Sequence, residues 1–481
     1  MTFTTLTFLV FTVVTFAAYW TLRVRRAQNA LLLVASYVFY GWWDPRFCAL
    51  MAASSLLDYV VALVLAGSDD ARRRRALLAV SCVGNLTLLG VFKYYDFFVE
   101  SFVAAGATLG ISLHAAPLRL VLPVGISFYT FQTLGYTIDV YRRKLEPARD
   151  PIQYFSYVSF FPQLVAGPIE RGTRLLPQFA RDRAFDRDLA VDGLRQALWG
   201  FVQKVALADN LATIVEGCYE GTCRGPQSMI ATVAFAFQIY WDFAGYSNIA
   251  IGTAKLFGIR LSQNFAYPYF SRSVAEFWRR WHITLSTWFR DYVYVPLGGN
   301  RHGRARQAAA VVLTFTLSGL WHGASWTFVV WGLMNGVLAL PSILRGHTRE
   351  GPATVPGGER MLPRAADLVR MLVTFTLVCI GWVFFRASSL PAAFGMLAAI
   401  VRDLADPTAW RELAAHADYL RGFSSALAIV VVIEWLQRRH AHPLVLARWP
   451  RALRWLLYTM LAWAMLYVMR EDPSRFIYFQ F

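Results

Sequence analysis

Acidic residues are scarce in this chain. Its 481 residues hold 30 Asp and Glu against 47 Lys and Arg, a net charge of +17, and charged residues of all kinds make up only 16%. Ordinary soluble domains carry about a quarter charged residues, so most of this surface is not built for water. Cysteine is scarce too. Cys48, Cys82, Cys218, Cys223 and Cys379 show neither CxxC nor metal-ligand spacing, which leaves a zinc centre without support. Cys218 and Cys223 alone flank a short polar loop, placed outside the cytoplasm, where a local disulfide would fit. There is no GK[ST] phosphate loop and no GxSxG elbow, so covalent catalysis through serine has no sequence basis. Low-complexity segments and the internal repeat that marks many transporters are also lacking.

What the chain does have is apolar length. It is 57% hydrophobic and 16% aromatic, with a mean hydropathy of +0.40. Crossing a hydrocarbon layer takes about 20 mostly apolar residues per helix. Such stretches recur near 4–20, 29–45, 49–66, 76–92, 118–138, 196–214, 227–247, 307–321, 325–343, 367–387, 421–436 and 452–469. A helix satisfies its own backbone in lipid, so the expected class is an all-α polytopic membrane protein with about 10–12 transmembrane helices. The first run lacks a basic start and a cleavage site and is read as a retained helix. The arginines gather between apolar runs, at Arg23/Arg25/Arg26, Arg72 to Arg75, Arg142/Arg143 and Arg438/Arg439. That is the positive-inside pattern, not a nucleic-acid surface. It leaves membrane lipid or an anionic ligand as the partner of the excess charge.

Two segments depart from plain spans. Residues 97–117 are too weakly hydrophobic to be expected to cross. Residues 152–170, broken by Pro162, Gly167 and Pro168, read as a re-entrant element. One membrane domain is expected over 1–481, with peripheral helices at 1–117, a core at 118–343, a cytoplasmic Gly/Pro linker at 344–366 and closing helices at 367–481. A polar surface helix is expected within 402–420.

Candidate chemistry lies in the core. Projected at about 100° per residue, "EFWRRWHITLSTWFR" (276–290) sets Glu276, Arg279, His282, Ser286 and Arg290 on one face and Phe277, Trp281, Leu285 and Trp288 on the other. This is either an interfacial helix with an aromatic anchor or a cytoplasmic funnel wall whose Arg279, Arg280 and Arg290 attract a phosphate-bearing donor. His322 stands inside the apolar run "LTFTLSGLWHGASWTFVVWG" (313–332). Ionisable residues at such depth usually face the protein interior and are functional candidates. Gly319 and Gly323 flank it, and Gly332 with Gly336 repeats the small-residue pair. Ser318 and Trp326 lie one turn to either side if the helix continues, and Trp321 adjoins it. Asp58, Asp139 and Asp242 read mainly as structural hydrogen-bond centres, with pathway lining second.

Together, "LPVGISFYTFQTLGYTIDVYRR" (122–143), "FFPQLVAGPIER" (160–171), "YWDFAGYSNIAIG" (240–252), "NFAYPYFSRSVAEFWRRWHITLSTWFRDYVYVPLGGNR" (264–301), "SGLWHGASWTFVVWG" (318–332), "GWVFFRASS" (381–389) and "FIYFQF" (476–481) resemble the membrane-bound O-acyltransferase family. The likeness is to its bacterial, alginate O-acetylase-like branch, and it extends over nearly the whole chain. It implies a central tunnel, with His322 at the family's invariant histidine and His282 at a second, upstream polar position. Asn335 stands where many bacterial relatives have histidine, and Asn248 where aspartate is common.

The activity so implied is transfer of an acetyl group from a cytoplasmic thioester, acetyl-CoA, to a hydroxyl on the far side of a bacterial cytoplasmic membrane. No permanently bound cofactor is implied. His322 is then the general base, and His282 orients the acyl group or polarises its carbonyl. The implied partners are extracytoplasmic acyltransferase or polysaccharide-modification proteins, and the product is an O-acetylated envelope polymer or exopolysaccharide. Three other readings stay open at this point. One is D-alanyl transfer to teichoic acid from a carrier protein. Another is a proton-coupled transporter, with His322 as relay and Asp242 as coupling acid. The third is a non-catalytic scaffold.

Overall fold

The structure, a computed structural model, describes residues 1–221, 223–345, 355, 357–415, 417–446, 449–470 and 476–477. Among these, helices are the only regular secondary structure. Many begin where the sequence offers a short oxygen acceptor: Thr5, Asp70, Asp150, Ser273, Ser325, Ser389 and Asp406 each accept a backbone N–H of the first turn. Among the described residues, four helical runs are long and apolar enough to cross a membrane: Arg46–Ala66, Ala71–Thr108, Trp326–Leu344 and Ala365–Arg386. Leu6–Thr21 and Ser424–Gln437 are apolar but shorter. The all-α membrane class expected from composition is therefore the one observed.

The chain divides into two compact units, residues 1–197 with 249–262, and residues 198–248 with 263–481. In the first, Asp58 is buried where helix Arg46–Ala66 meets two neighbours. Its Oδ1 accepts from Ser81 Oγ and, at 2.8 Å, from Thr137 Oγ1, while Oδ2 accepts from Asn85 Nδ2 at 2.7 Å. Asp58 is thus the structural centre its setting suggested. Residues 151–164 form two short helices, Pro151–Ser159 and Phe161–Leu164, neither long enough to span a bilayer. The helix expected at 76–92 is longer in the structure. The helix beginning at Ala71 does not end near 92; a π turn at Gly90–Tyr94 absorbs an extra residue and lets it run on to Thr108.

The second unit contains the hairpin of helices Arg304–His322 and Trp326–Leu344. Their backbones almost touch. A Cβ placed on Gly319 would lie 2.2 Å from Phe328 O, and one on Gly332 would lie 2.4 Å from Phe315 O. Gly336 approaches Val312 in the same way, but Gly323 lies past the helix end, against the Phe328 ring. Elsewhere in this unit Lys204 Nζ sits 2.6 Å from Asp209 Oδ1 and 2.8 Å from Asp242 Oδ1, all three side chains buried. Asp242 Oδ2 also accepts the backbone N–H of Ile477 at 2.8 Å, and the Phe476 ring packs 4.3 Å from Tyr246. Asp242 is therefore an ion-paired anchor for residues 476 and 477.

Cys218 and Cys223 are bridged. Part of the expected surface helix is observed as Pro407–Ala414. Residues 478–481 of the closing motif lie outside the described residues, as do Gly346, Gly351, Pro352 and Pro356 of the linker.

Three substitutions test these contacts. Gly332→Val drives a side chain into the facing backbone and is expected to cost about 1–3 kcal/mol. Gly395→Ala, where a Cβ meets nothing within 4 Å, should leave Tm unchanged or raise it; both are read by thermal unfolding in detergent. Lys204→Met strands two buried carboxylates and should cost about 3–5 kcal/mol; a Tm equal to wild type would contradict the ion cluster.

Candidate active site

The motif at 276–290 is not one helix. Val274–Arg280 forms a first short helix, capped by Ser273, and Ile283–Phe289 a second. Neither is long enough to span a bilayer. Between them Trp281 is extended and His282 takes a left-handed conformation, φ 41° and ψ 54°, which costs a residue with a Cβ about 1–3 kcal/mol. The break is held from outside the motif. Ala266 N donates to Arg280 O at 3.0 Å and Ile283 N to Asn264 O at 2.9 Å, so residues 264–266 run alongside 280–283. The single-face projection therefore fails, because residues before and after His282 no longer share one helical phase.

Arg280 is the clearest correction. It is fully buried, with Nη2 2.9 Å from Glu276 Oε1 and Nε donating to the same oxygen at 3.0 Å. A guanidinium committed to a buried carboxylate in this way is a structural brace, not part of a funnel open to donor. Arg279 and Arg290 do line a cavity of about 420 Å³, together with Ser286, Ser318, Trp278 and Gln307. The cavity thus gathers four of the residues singled out from sequence, two of them cationic.

His322 ends its helix. Gly323 is extended, Ser325 caps the next helix, and Trp326 starts that helix with its side chain exposed. The helix does not continue through the glycines, in keeping with the separate spans expected at 307–321 and 325–343, so Trp326 is not a one-turn neighbour. The His322 ring lies against Trp321, Trp331 and Phe385, with centroids 4.9, 5.2 and 5.5 Å away. Its helix carries Ser318, one turn earlier, to the cavity wall.

The two histidines meet. Their ring centroids are 6.5 Å apart, and both side chains are buried. Around His282 stand Phe243 at 4.6 Å, Trp321 at 6.1 Å and Phe265 at 6.5 Å. Burial lowers the pKa of the His282 imidazolium to about 3, so the ring is neutral at physiological pH. Asn335 is a bracket: its Oδ1 accepts from Trp278 Nε1 at 3.2 Å and its Nδ2 donates to Trp331 O at 2.8 Å. One tryptophan so held lines the cavity and the other packs on His322.

Two residues escaped the sequence reading. Lys204 lies in the middle of the expected span 196–214, but its two carboxylate partners, Asp209 and Asp242, were not matched to it from sequence. Asn264 opens a quoted motif but carries no charge or spacing that marks it, because its contacts lie 18 and 20 residues away.

A sequence profile of the membrane-bound O-acyltransferase family matches residues 225–363, the stretch holding both histidines and the cavity. The chain is 38% identical over 404 residues to a probable alginate O-acetylase of Azotobacter vinelandii, covering 83% of this chain and 78% of that one. It is 34% identical over 401 residues to a peptidoglycan O-acetyltransferase of Helicobacter pylori, covering 77% and 73%. With a teichoic acid D-alanyltransferase of Bacillus subtilis it shares 25% identity over 387 residues, 74% of this chain and 94% of that one. Each of these relatives is named for acyl transfer, and the transporter and scaffold readings give way to an enzyme. The chain is a membrane acyltransferase and belongs to the membrane-bound O-acyltransferase family.

Proposed function

We propose that the chain moves an acetyl group from a cytoplasmic thioester, acetyl-CoA, to a hydroxyl acceptor on the other side of a bacterial cytoplasmic membrane, for O-acetylation of an envelope polymer or exopolysaccharide of the alginate type. The observation that carries this reading is the meeting of His282 and His322, 6.5 Å apart and buried, in the unit whose cationic cavity is lined by Arg279 and Arg290. The names of the relatives support the acetyl group and the polysaccharide acceptor.

The chemistry is an acyl exchange. The acceptor oxygen attacks the thioester carbonyl carbon, a C–O bond forms, and the C–S bond breaks. His322 takes the hydroxyl proton during attack and returns it to the leaving thiolate, a role usually contributing about 10²–10⁴-fold. His282 acts beside it on the same reacting groups. Arg279 and Arg290 bind the donor phosphates by charge-assisted hydrogen bonds, with Ser286 and Ser318 on the wall of the same cavity. An extracytoplasmic acyltransferase or polysaccharide-modification protein receives the group or the acetylated product.

In liposomes containing the purified protein and radiolabelled acetyl-CoA, His322→Ala is expected to lower acetyl transfer to polysaccharide by about 10²–10⁴-fold; full activity would overturn the assignment. Labelling from a D-alanyl carrier protein, with none from acetyl-CoA, would instead favour the D-alanyl reading. Loss of one phosphate contact acts on binding, so Arg279→Gln should raise KM for acetyl-CoA about tenfold with kcat little changed. Saturation curves for the donor check this, and an unchanged KM would remove Arg279 from the donor site.

A further inference from the structure

The break at His282 leaves three donors pointing at one atom of Asn264. Its Oδ1 lies 3.0 Å from His282 Nδ1, 2.9 Å from Thr284 Oγ1 and 3.4 Å from the backbone N of Thr284. The opposite end of the amide, Nδ2, donates to Ser247 Oγ at 3.1 Å. Thr284 N belongs to the first turn of the Ile283–Phe289 helix, and His282, at that helix's N-cap, makes no side-chain cap bond of its own. Asn264 therefore caps the helix from outside it.

This arrangement determines which way the amide points. A backbone N–H can only donate, so the Asn264 atom facing Thr284 N is the oxygen, not the NH₂ group. The same oxygen faces His282 Nδ1. Two lone pairs would repel at 3.0 Å, so Nδ1 carries a proton and donates it. In a neutral imidazole only one nitrogen is protonated, and its partner is then an acceptor. Burial keeps this ring neutral.

We infer that Asn264 is a positioning residue that holds His282 in the Nδ1–H tautomer, so that His282 meets the substrates as a hydrogen-bond acceptor through Nε2. This builds on the proposed reading of the two histidines as the reacting pair and changes the part His282 plays in it. An acceptor nitrogen cannot stabilise a developing oxyanion; it engages a hydroxyl or an amide N–H. The groups His282 can orient are thus the acceptor hydroxyl or the amide N–H groups of the donor's arm. The thioester carbonyl oxygen must find its donor elsewhere.

The tautomer can be read without any assay of transfer. Full-length protein labelled with ¹⁵N in the histidine rings is compared with the His282→Gln variant, which identifies the His282 signals among those of the eight histidines. The expected wild-type spectrum has His282 Nδ1 protonated and Nε2 unprotonated. Protonated Nε2 would overturn the inference, whatever the activity. Asn264→Asp keeps an oxygen acceptor in place, and Asn264→Leu keeps the size without it. The Asp variant should retain the Nδ1–H signal and transfer within about tenfold of wild type. The Leu variant should lose that signal and fall about 10²-fold in kcat, with donor KM nearly unchanged. Equal kcat for the Leu variant and wild type would overturn the inference, as would a kcat for the Asp variant as low as that of the Leu variant while its Nδ1–H signal persists. If His322→Ala transfers normally, the functional reading fails while the tautomer result stands by itself.

Discussion

A polar group withdrawn from water must find a partner inside the protein, at a cost of about 1–3 kcal/mol when it does not. In this enzyme that constraint bears hardest on the turn at Trp281 and His282, where a helix stops and another starts within a buried, aromatic surround. The Asn264 hydrogen bonds meet it for the backbone at the break and for His282 Nδ1. Main-chain bonds from Asn264 and Ala266 hold the two sides of the break, and the Asn264 amide caps the second helix and grips the imidazole. The left-handed conformation of His282 persists because these bonds over-determine it. The phase of Ser286 in the second helix, and of Arg290 just past its end, follows from the same break.

The other half of the site rests on van der Waals contact. Gly319 and Gly332 let two helices approach until backbone meets backbone, and the hairpin so formed ends its first helix at His322. Aromatic rings then close around both histidines: Phe243 and Phe265 on one, Phe385 and Trp331 on the other, with Trp321 touching each. Such a dry wall strengthens every hydrogen bond made to a reacting group. The cavity wall differs in kind, because Arg279 and Arg290 stand on it. The buried histidine pair and the cationic cavity thus lie in contrasting environments within one stretch of chain.

The buried ions show how little a charge says about its own role. Arg279 and Arg280 are adjacent, yet one lines a cavity and the other is sealed against Glu276. Lys204, Asp209 and Asp242 form a closed cluster, and Asp242 also receives the backbone of Ile477. Sequence position distinguishes none of these cases. Burial does, because an ion without water must be paired.

The membrane class, the helical content, the spare polar residues at depth and the two histidines worth attention were all legible in the amino-acid order. Those are properties of composition and of local apolar length, which each segment carries whatever surrounds it. His322 stood out because an imidazole in an apolar run has to be accounted for, and His282 because its motif is long and specific. Contacts between elements were needed to show that 276–290 breaks in two, that Arg280 is a brace, and that Asn264 selects the proton position on His282. Each of those depends on a hydrogen bond, ion pair or glycine contact made to another element, and in places the cost is paid by strain, as in the φ of His282. Helical periodicity is blind to such bonds, since it records what a segment would do alone.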